Sequence, residues 1–306
     1  MRENWEAENG GMSGKLAGEV RSEQENGGWA VTGTEGDEGK ISGDMDRLAR
    51  PKTGDENPRK ARPKTAAIVL AAGHGRRMGT AVAKQFLELN GYPVIYYALR
   101  AFEECELVDR VVLVTGAESV GYCREEIVAK YAFSKTAAVV AGGAERYDSV
   151  YQGLLALRGW FGEERGDGIV LIHDGARPLV NAAIIGRTVQ AAVSFGACAA
   201  AMPVKDTIKV ADPAGFAAAT PDRSTLWQMQ TPQTFRYGLV LDAYGRMMAD
   251  PEKKRGVTDD AMVVETMTEY KVKLVEGSYE NIKVTTPEDM RIAACLLGAE
   301  GGRTQA

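Results

Sequence analysis

An open, mostly parallel α/β sheet with helices on both faces is the fold class this sequence predicts. Three observations carry it. From Thr65 onward, short apolar runs alternate with amphipathic segments, as in strands joined by right-handed crossover helices. The first run, Ala66–Leu70, is wholly apolar and reads as a buried strand. Three of the runs end directly in glycine-containing turns, and in open α/β sheets ligands bind at the carboxyl ends of strands.

The elements follow in order. After Ala66–Leu70 comes a glycine-rich turn, Ala72 to Gly79, then an amphipathic helix over Val94–Glu104 and a strand over Val111–Thr115. A helix near Val120–Tyr131, a strand over Ala137–Ala141 and a helix over Ser149–Leu157 lead to a fourth strand, Ile169–His173, which ends in the polar turn Asp174-Gly-Ala-Arg-Pro178. Asn181–Phe195 reads as helix and Ala197–Pro203 as strand. Between Lys205 and Arg223 the pattern breaks, and Asp212-Pro-Ala-Gly215 is a turn signal between two short strand-like pieces, the makings of a hairpin arm. Helices over Tyr237–Met248, from Thr258-Asp-Asp260, and over Pro287–Leu297 follow, with a strand over Val272–Val275 among them. Thr258 reads as the cap of its helix, with acidic residues in the first turn.

Residues 1–64 lie outside this pattern. They are rich in Gly, Glu, Asp, Asn and Ser and show no period of 3.6 or 2, so they cannot bury enough apolar surface to offset their ordering entropy. A disordered extension is expected, followed by one catalytic domain over 65–300. A partner-binding tail, or a start at a later methionine such as Met45, are the other readings.

The formal charge of -5 gives no general reason to bind nucleic acid or an anionic membrane, since those partners favour basic patches. Cys105, Cys123, Cys198 and Cys295 are widely spaced, which suggests neither a zinc knuckle nor a disulfide scaffold. With only His74 and His173 besides, an oxygen-liganded Mg²⁺ is the metal to expect. No signal peptide or apolar run of membrane-spanning length stands out. The cytoplasm is the expected compartment.

Three strand ends carry the chemistry. In Leu70-Ala-Ala-Gly-His-Gly-Arg-Arg-Met-Gly79, the glycines at 73, 75 and 79 let backbone N–H groups approach phosphate oxygens, and Arg76, Arg77 and Lys84 add positive charge. Neither a P-loop nor a dinucleotide fingerprint fits this spacing. An ordinary strand-to-helix turn with solvated arginines is the bland reading. In Gly142-Gly-Ala-Glu-Arg-Tyr-Asp-Ser149, the glycine pair permits close approach of a base or ribose, Arg146 offers a planar fork of donors and Ser149 a hydroxyl. A turn with Asp148 or Ser149 capping the next helix is equally readable there. In His173-Asp-Gly-Ala-Arg-Pro178, Asp174 stands where a Mg²⁺ ligand would share the metal with a polyphosphate, and Arg177 would reach a second phosphate. A strand-end Asp tying down its own loop is the alternative, and His173 reads as packing.

Taken in order, these clusters resemble the 2-C-methyl-D-erythritol 4-phosphate cytidylyltransferases. The resemblance runs from Thr65 to Leu297. Its carriers are Ala71-Ala-Gly-x-Gly-x-Arg-Met78 with Lys84-Gln85, Gly142-Gly-x-x-Arg146 with Ser149-Val150, Asp174 with Ala176-Arg-Pro178, Pro203-Val-x-Asp-Thr207, Asp222-Arg223 with Leu226-Trp227, Thr231-Pro-Gln233, and Asn281-Ile-Lys-Val-Thr285. The resemblance implies a Rossmann-like nucleotidyltransferase sheet, and a homodimer whose hairpin arms, about 205–223, cross into each other's active sites. It implies CTP and a polyol phosphate as substrates, with Mg²⁺. By the same carry-over, Arg77 and Lys84 stabilise the transition state at the α-phosphate. Ala71, Ala72, Gly73, Gly75, Gly143, Ser149 and Gly175 contact the nucleotide. Asp174, Arg177, Thr207, Arg223, Thr231 and Lys283 hold the polyol phosphate or, for Asp174, the metal. The chain departs from a familiar form of the pattern at Leu70, Ala144 and Gly175, where Pro, Asp and Ala respectively are common. A ribitol 5-phosphate cytidylyltransferase is the nearest rival reading, and a catalytically silent nucleotide-binding regulator a more remote one.

Overall fold

The computed structural model describes residues 62–73, 83–162 and 168–303. Strand β1 (Thr65–Ala71) is buried along its whole length. Its side chains alternate between two cores, Ala67, Val69 and Ala71 entering one and Ala66, Ile68 and Leu70 the other. A strand covered on both faces has no polar side to show, which is why its sequence does not alternate.

A two-residue hairpin, β2 (Glu88–Leu89) and β3 (Tyr92–Pro93), turns through Asn90 and Gly91, both at positive φ, as such a tight connection requires. Helix α1 (Val94–Glu104) buries Val94, Ile95, Ala98, Leu99 and Phe102 along one stripe. After β4 (Arg110–Thr115), the expected helix near Val120–Tyr131 is a short α2 (Val120–Tyr122) running into a π-helical stretch, Cys123–Ala129. β5 (Thr136–Ala141) is followed by α3 (Arg146–Ala156), which begins earlier than expected because the Asp148 carboxylate accepts from the Glu145 N–H at 3.1 Å. A short α4 (Arg158–Phe161), β6 (Ile169–Asp174), α5 (Ala182–Phe195) and β7 (Ala197–Pro203) come next. The Asn181 side chain caps α5 by accepting from the Ile184 N–H.

The arm is a small antiparallel hairpin, β8 (Val210–Ala211) and β9 (Ala217–Ala219). The Asp212 carboxylate accepts from the N–H groups of Ala214 and Phe216, each at 2.9 Å, and Gly215 takes φ +88°. Then come β10 (Trp227–Arg236), α6 (Tyr237–Met248), α7 (Asp260–Met267), β11 (Lys273–Glu276) and α8 (Pro287–Arg303). Asp259, not Thr258, caps α7: its side chain accepts from the Met262 N–H at 2.9 Å.

The main sheet has seven strands in the order β11-β7-β10-β6-β1-β4-β5. Neighbours are parallel except for β10, which is antiparallel to both β6 and β7. No strand was expected over 227–236. Pro232 has no N–H for a ladder, and pairing with β7 is interrupted between Met229 and Gln233. The buried Gln230, Thr231, Gln233 and Thr234 also erase any apolar signature. Helices α1 and α5 cover one face, and α3, α6 and α7 the other. A smaller cluster, in which Ala293 of α8 meets Leu89, Val94, Leu179 and Val284, ties the last helix to the residues just past the Asp174 turn. Among the described residues no helix is long and apolar enough to cross a membrane.

Candidate active site

The carboxyl ends of β1, β5 and β6 open onto one cavity of about 450 Å³. At the end of β1, Gln85 is almost fully buried and its Nε2 donates to the carbonyls of Ala71 and, at 3.2 Å, Gly73. This pins the start of the glycine-rich turn, whose Ala71, Ala72 and Gly73 line the cavity. At the end of β5, the Gly143 N–H donates to Ser149 Oγ at 3.2 Å, and that hydroxyl donates to the Glu145 carbonyl at 3.3 Å. A side chain at Gly142 would collide with Ser149, and one at Gly143 with Asp148. The glycines therefore let α3 begin hard against the strand end.

At the end of β6 stands Asp174, 8% exposed. Its backbone N–H donates to Thr231 Oγ1 at 3.1 Å, and the Thr231 hydroxyl lies 3.0 Å from His173 Nδ1. His173 Nε2 is 3.2 Å from the Arg177 carbonyl. All three contacts are satisfied when His173 carries its proton on Nε2 and the Thr231 hydroxyl donates to Nδ1. Burial pushes the His173 imidazole down to about 4 despite the neighbouring Asp174, so the ring is neutral at ordinary pH.

The Asp174 carboxylate meets Lys283 Nζ at 2.7 Å and Arg146 Nε at 3.3 Å. Burial alone would raise its pKa, but the cations Arg146, Lys283 and Arg177 outweigh it and hold the carboxyl well below the usual range. Lys84 also lines the cavity, and its Nζ donates to the Val284 carbonyl at 2.8 Å, while the Val284 N–H donates to the Ala176 carbonyl at 2.8 Å. Lys84 and Lys283 thus reach the cavity beside a shared backbone segment. Among the described residues no cluster of three or more His, Cys, Asp or Glu side chains could cage a metal by itself. One carboxylate at the cavity wall fits the way Mg²⁺ is held, with few protein oxygens and several from a polyphosphate.

Of the residues singled out in the sequence, Ala71, Ala72, Gly73, Lys84, Gly143, Ser149, Asp174 and Lys283 border this cavity. Gly75 and Arg77 lie outside the described residues, as does the segment 1–61. Gly175 sits behind the wall: its N–H donates to Leu70 O at 2.8 Å, and a Cβ would stand 2.9 Å from that same oxygen and against Ile95. Thr207 and Arg223 are exposed on the arm and its return, with Arg223 Nη1 donating to the Lys205 carbonyl. Two guanidinium groups already have protein partners. Arg177 is not among the cavity's lining residues, and its Nη atoms donate to the carbonyls of Asn281 at 2.7 Å and Met229 at 3.4 Å. The Arg146 fork is not open to a base or ribose, because both Nη atoms are on Asp260 at 2.8 Å.

A nucleotide-sized cavity lined by Gly73, Gly143, two lysines and one carboxylate suits phosphoryl chemistry. Residues 65–299 match the family of 2-C-methyl-D-erythritol 4-phosphate cytidylyltransferase along almost the whole described chain. The chain belongs to this family. Its relatives include the 2-C-methyl-D-erythritol 4-phosphate cytidylyltransferase of Lachnospira eligens, 51% identical over 231 residues, covering 76% of this chain and 98% of the relative. That of Pelotomaculum thermopropionicum is 47% identical over 240 residues, covering 78% and 97%. Among solved structures, the 4-diphosphocytidyl-2C-methyl-D-erythritol synthase of Anaerococcus prevotii superposes with a TM-score of 0.64 at 30% identity, covering 77% of this chain and 99% of that one.

This cytidylyltransferase also carries site residues that the sequence reading missed. Asp260 is fully buried under Arg146. Asn281 Nδ2 donates to Gln230 Oε1 at 3.2 Å and to the Thr231 carbonyl at 2.9 Å, which locks the loop bearing Lys283 onto β10. The Asp259-Asp260 pair offered a weak signal, since a helix start needs only one cap and leaves the second carboxylate without a stated partner.

Proposed function

We propose that this chain transfers CMP from CTP to 2-C-methyl-D-erythritol 4-phosphate, giving 4-diphosphocytidyl-2-C-methyl-D-erythritol and pyrophosphate in isoprenoid precursor biosynthesis. The observation that carries the reading is the convergence of Lys84, Lys283 and Asp174 on the cavity at the glycine-rich strand ends, in a chain of this family.

In this reading an oxygen of the acceptor's phosphate monoester attacks the α-phosphorus of CTP in line. The bond from that phosphorus to the β-phosphate bridge breaks, and pyrophosphate leaves with the electron pair. The protein supplies no covalent nucleophile, so its contribution is orientation and charge neutralisation. Lys84, and Arg77 by the family resemblance, offset the charge that develops on the transferring phosphoryl group. Ala71, Ala72, Gly73, Gly75, Gly143, Ser149 and the backbone at Gly175 cradle the nucleotide. Lys283 and Asp174 hold the acceptor end, with Thr231 setting the Asp174 backbone and Arg177 anchoring the Asn281 segment. Asp174 keeps lone pairs beyond those turned to Arg146 and Lys283, and with the triphosphate it would bind Mg²⁺, whose charge offsets that of the phosphates.

A second copy of the chain completes the site in this reading. The arm holds Ile208, Val210 and Phe216 out at 40%, 49% and 73% exposure, an apolar surface of the sort that oligomer contacts cover. Thr207 and Arg223 from the partner's arm would then reach the acceptor. The cytoplasm, where CTP is made, is the compartment this chemistry calls for.

The relatives' names favour the methylerythritol acceptor over ribitol 5-phosphate. The deciding experiment incubates the purified full chain with CTP, Mg²⁺ and each polyol phosphate in turn, measuring pyrophosphate. Release with methylerythritol phosphate and not with ribitol phosphate is expected. The opposite preference would overturn the acceptor assignment.

A further inference from the structure

Arg146 enters the cavity wall with its fork already occupied. Nη1 and Nη2 donate to the two oxygens of Asp260, each at 2.8 Å, which leaves Nε–H to donate to Asp174 Oδ1 at 3.3 Å. Asp260 is fully buried, and its Oδ1 accepts a further bond from the Tyr244 hydroxyl at 2.5 Å. Its place in the fold is set by Gln233. That side chain donates to Asp259 Oδ2 at 2.9 Å and accepts from the Ala261 N–H at 2.8 Å, from a position on β10 paired with Ile172 of β6. Asp260 is therefore built onto the strand beside the one that ends in Asp174.

A guanidinium presents its paired Nη donors to one carboxylate at a time. Without Asp260, Asp174 is the next carboxylate within reach of that pair. Bidentate capture by Arg146 would turn both Asp174 oxygens toward α3 and away from Lys283, now 2.7 Å from Oδ2. We infer that Asp260 is a positioning residue for the transfer: by occupying the Arg146 fork it limits Arg146 to one Asp174 oxygen and leaves the other on Lys283 at the cavity wall. The inference rests on the cavity being the transfer site. Stability alone is a poor explanation for the arrangement, because a buried ion pair adds little over apolar packing of the same volume.

Asp260→Asn keeps the shape while removing the charge and turning an N–H toward the guanidinium. In the full chain, kcat/KM for the acceptor at saturating CTP should fall about 10- to 100-fold, the range for lost hydrogen bonds to a charged group. Thermal melting should show the variant folded at the assay temperature. Added to Arg146→Met, the same change should cost nothing further, because both act through one contact. An inactive wild type would refute the site assignment itself. An active wild type with the Asp260→Asn value within about twofold of it, or with additive losses in the double variant, would overturn the positioning role. Should Asp260→Asn fail to fold, Tyr244→Phe removes only the hydroxyl on Oδ1. A severalfold drop in kcat/KM with an unchanged melting midpoint supports the role, and an unchanged kcat/KM overturns it.

Discussion

Lys283 Nζ lies 2.7 Å from Asp174 Oδ2, so the loop preceding the last helix closes over the strand end that borders the nucleotide-sized cavity. The contact depends on Asn281, whose side chain is buried against Gln230 and Thr231 of β10. The geometry of this corner of the cavity is thus set by a strand that contributes no charge to it.

Lys84→Ala should lose most of kcat while the protein stays folded. Removing one preorganised donor to a transition-state oxyanion costs about a hundred- to a thousandfold in turnover. Steady-state pyrophosphate release with a parallel circular-dichroism melt measures both. Near-wild-type turnover would remove Lys84 from the reaction.

Arg223→Ala should mainly raise KM for the acceptor and leave CTP binding intact. The residue is exposed on the arm's return, and its guanidinium donates to the Lys205 carbonyl. In the proposed reading its effect on the reaction comes through a second copy. Sedimentation of the wild type should show a dimer, and equal damage to both substrates' KM would reject the assignment.

His173 gives the fold a specific acid weakness. The folded ring titrates near 4 and the unfolded one near 6.5, so below the unfolded value the unfolded state binds the extra proton and stability falls as pH drops through that window. The shift corresponds to a loss on the order of 3 kcal/mol. Asp174 adds little to this difference, because a carboxylate with a depressed folded pKa keeps most of its contribution above its unfolded value of 3.8 and loses it as the pH falls below that. Urea midpoints at about pH 7 and about pH 4.5 should differ markedly in the wild type and much less in His173→Asn. Equal pH slopes would contradict the assignment.

Gly175→Ala should destabilise the chain even though alanine is familiar at this place in the family pattern. The new Cβ would stand 2.9 Å from Leu70 O and press on the Ile95 side chain, an overpacking that typically costs about 1–3 kcal/mol. Ile95→Val in the same chain shortens the colliding side chain and should restore part of the melting midpoint. No restoration would place the strain wholly at the Leu70 carbonyl.

The strands that are buried on both faces, β1 and β6, were legible because, after Thr65 opens β1, nothing in them is polar until the chain reaches the site. β10 was not, since Gln230, Thr231 and Gln233 are buried on side-chain and backbone partners far away in sequence, and such pairing leaves no periodic trace. The same reason hid the true surroundings of Arg146 and Arg177. A fork of donors beside a glycine turn reads as a ligand contact, yet Asp260 and the carbonyls of Met229 and Asn281 reach those forks only once the sheet has closed. Asp174 could be picked out because it ends a strand, and Ser149 and Lys84 because they follow the glycine-containing turns after two others in the sequence.

The central claim is that this cavity joins CMP to the acceptor with Lys84 acting at the α-phosphorus. ³¹P NMR of wild type and Lys84→Ala, each with CTP, Mg²⁺ and 2-C-methyl-D-erythritol 4-phosphate, tests it most directly. The wild type should build up the paired signals of a new unsymmetrical diphosphate together with pyrophosphate, and the variant should scarcely do so in the same time. Absence of the diphosphate with wild type, or its equal growth with both proteins, would contradict the account.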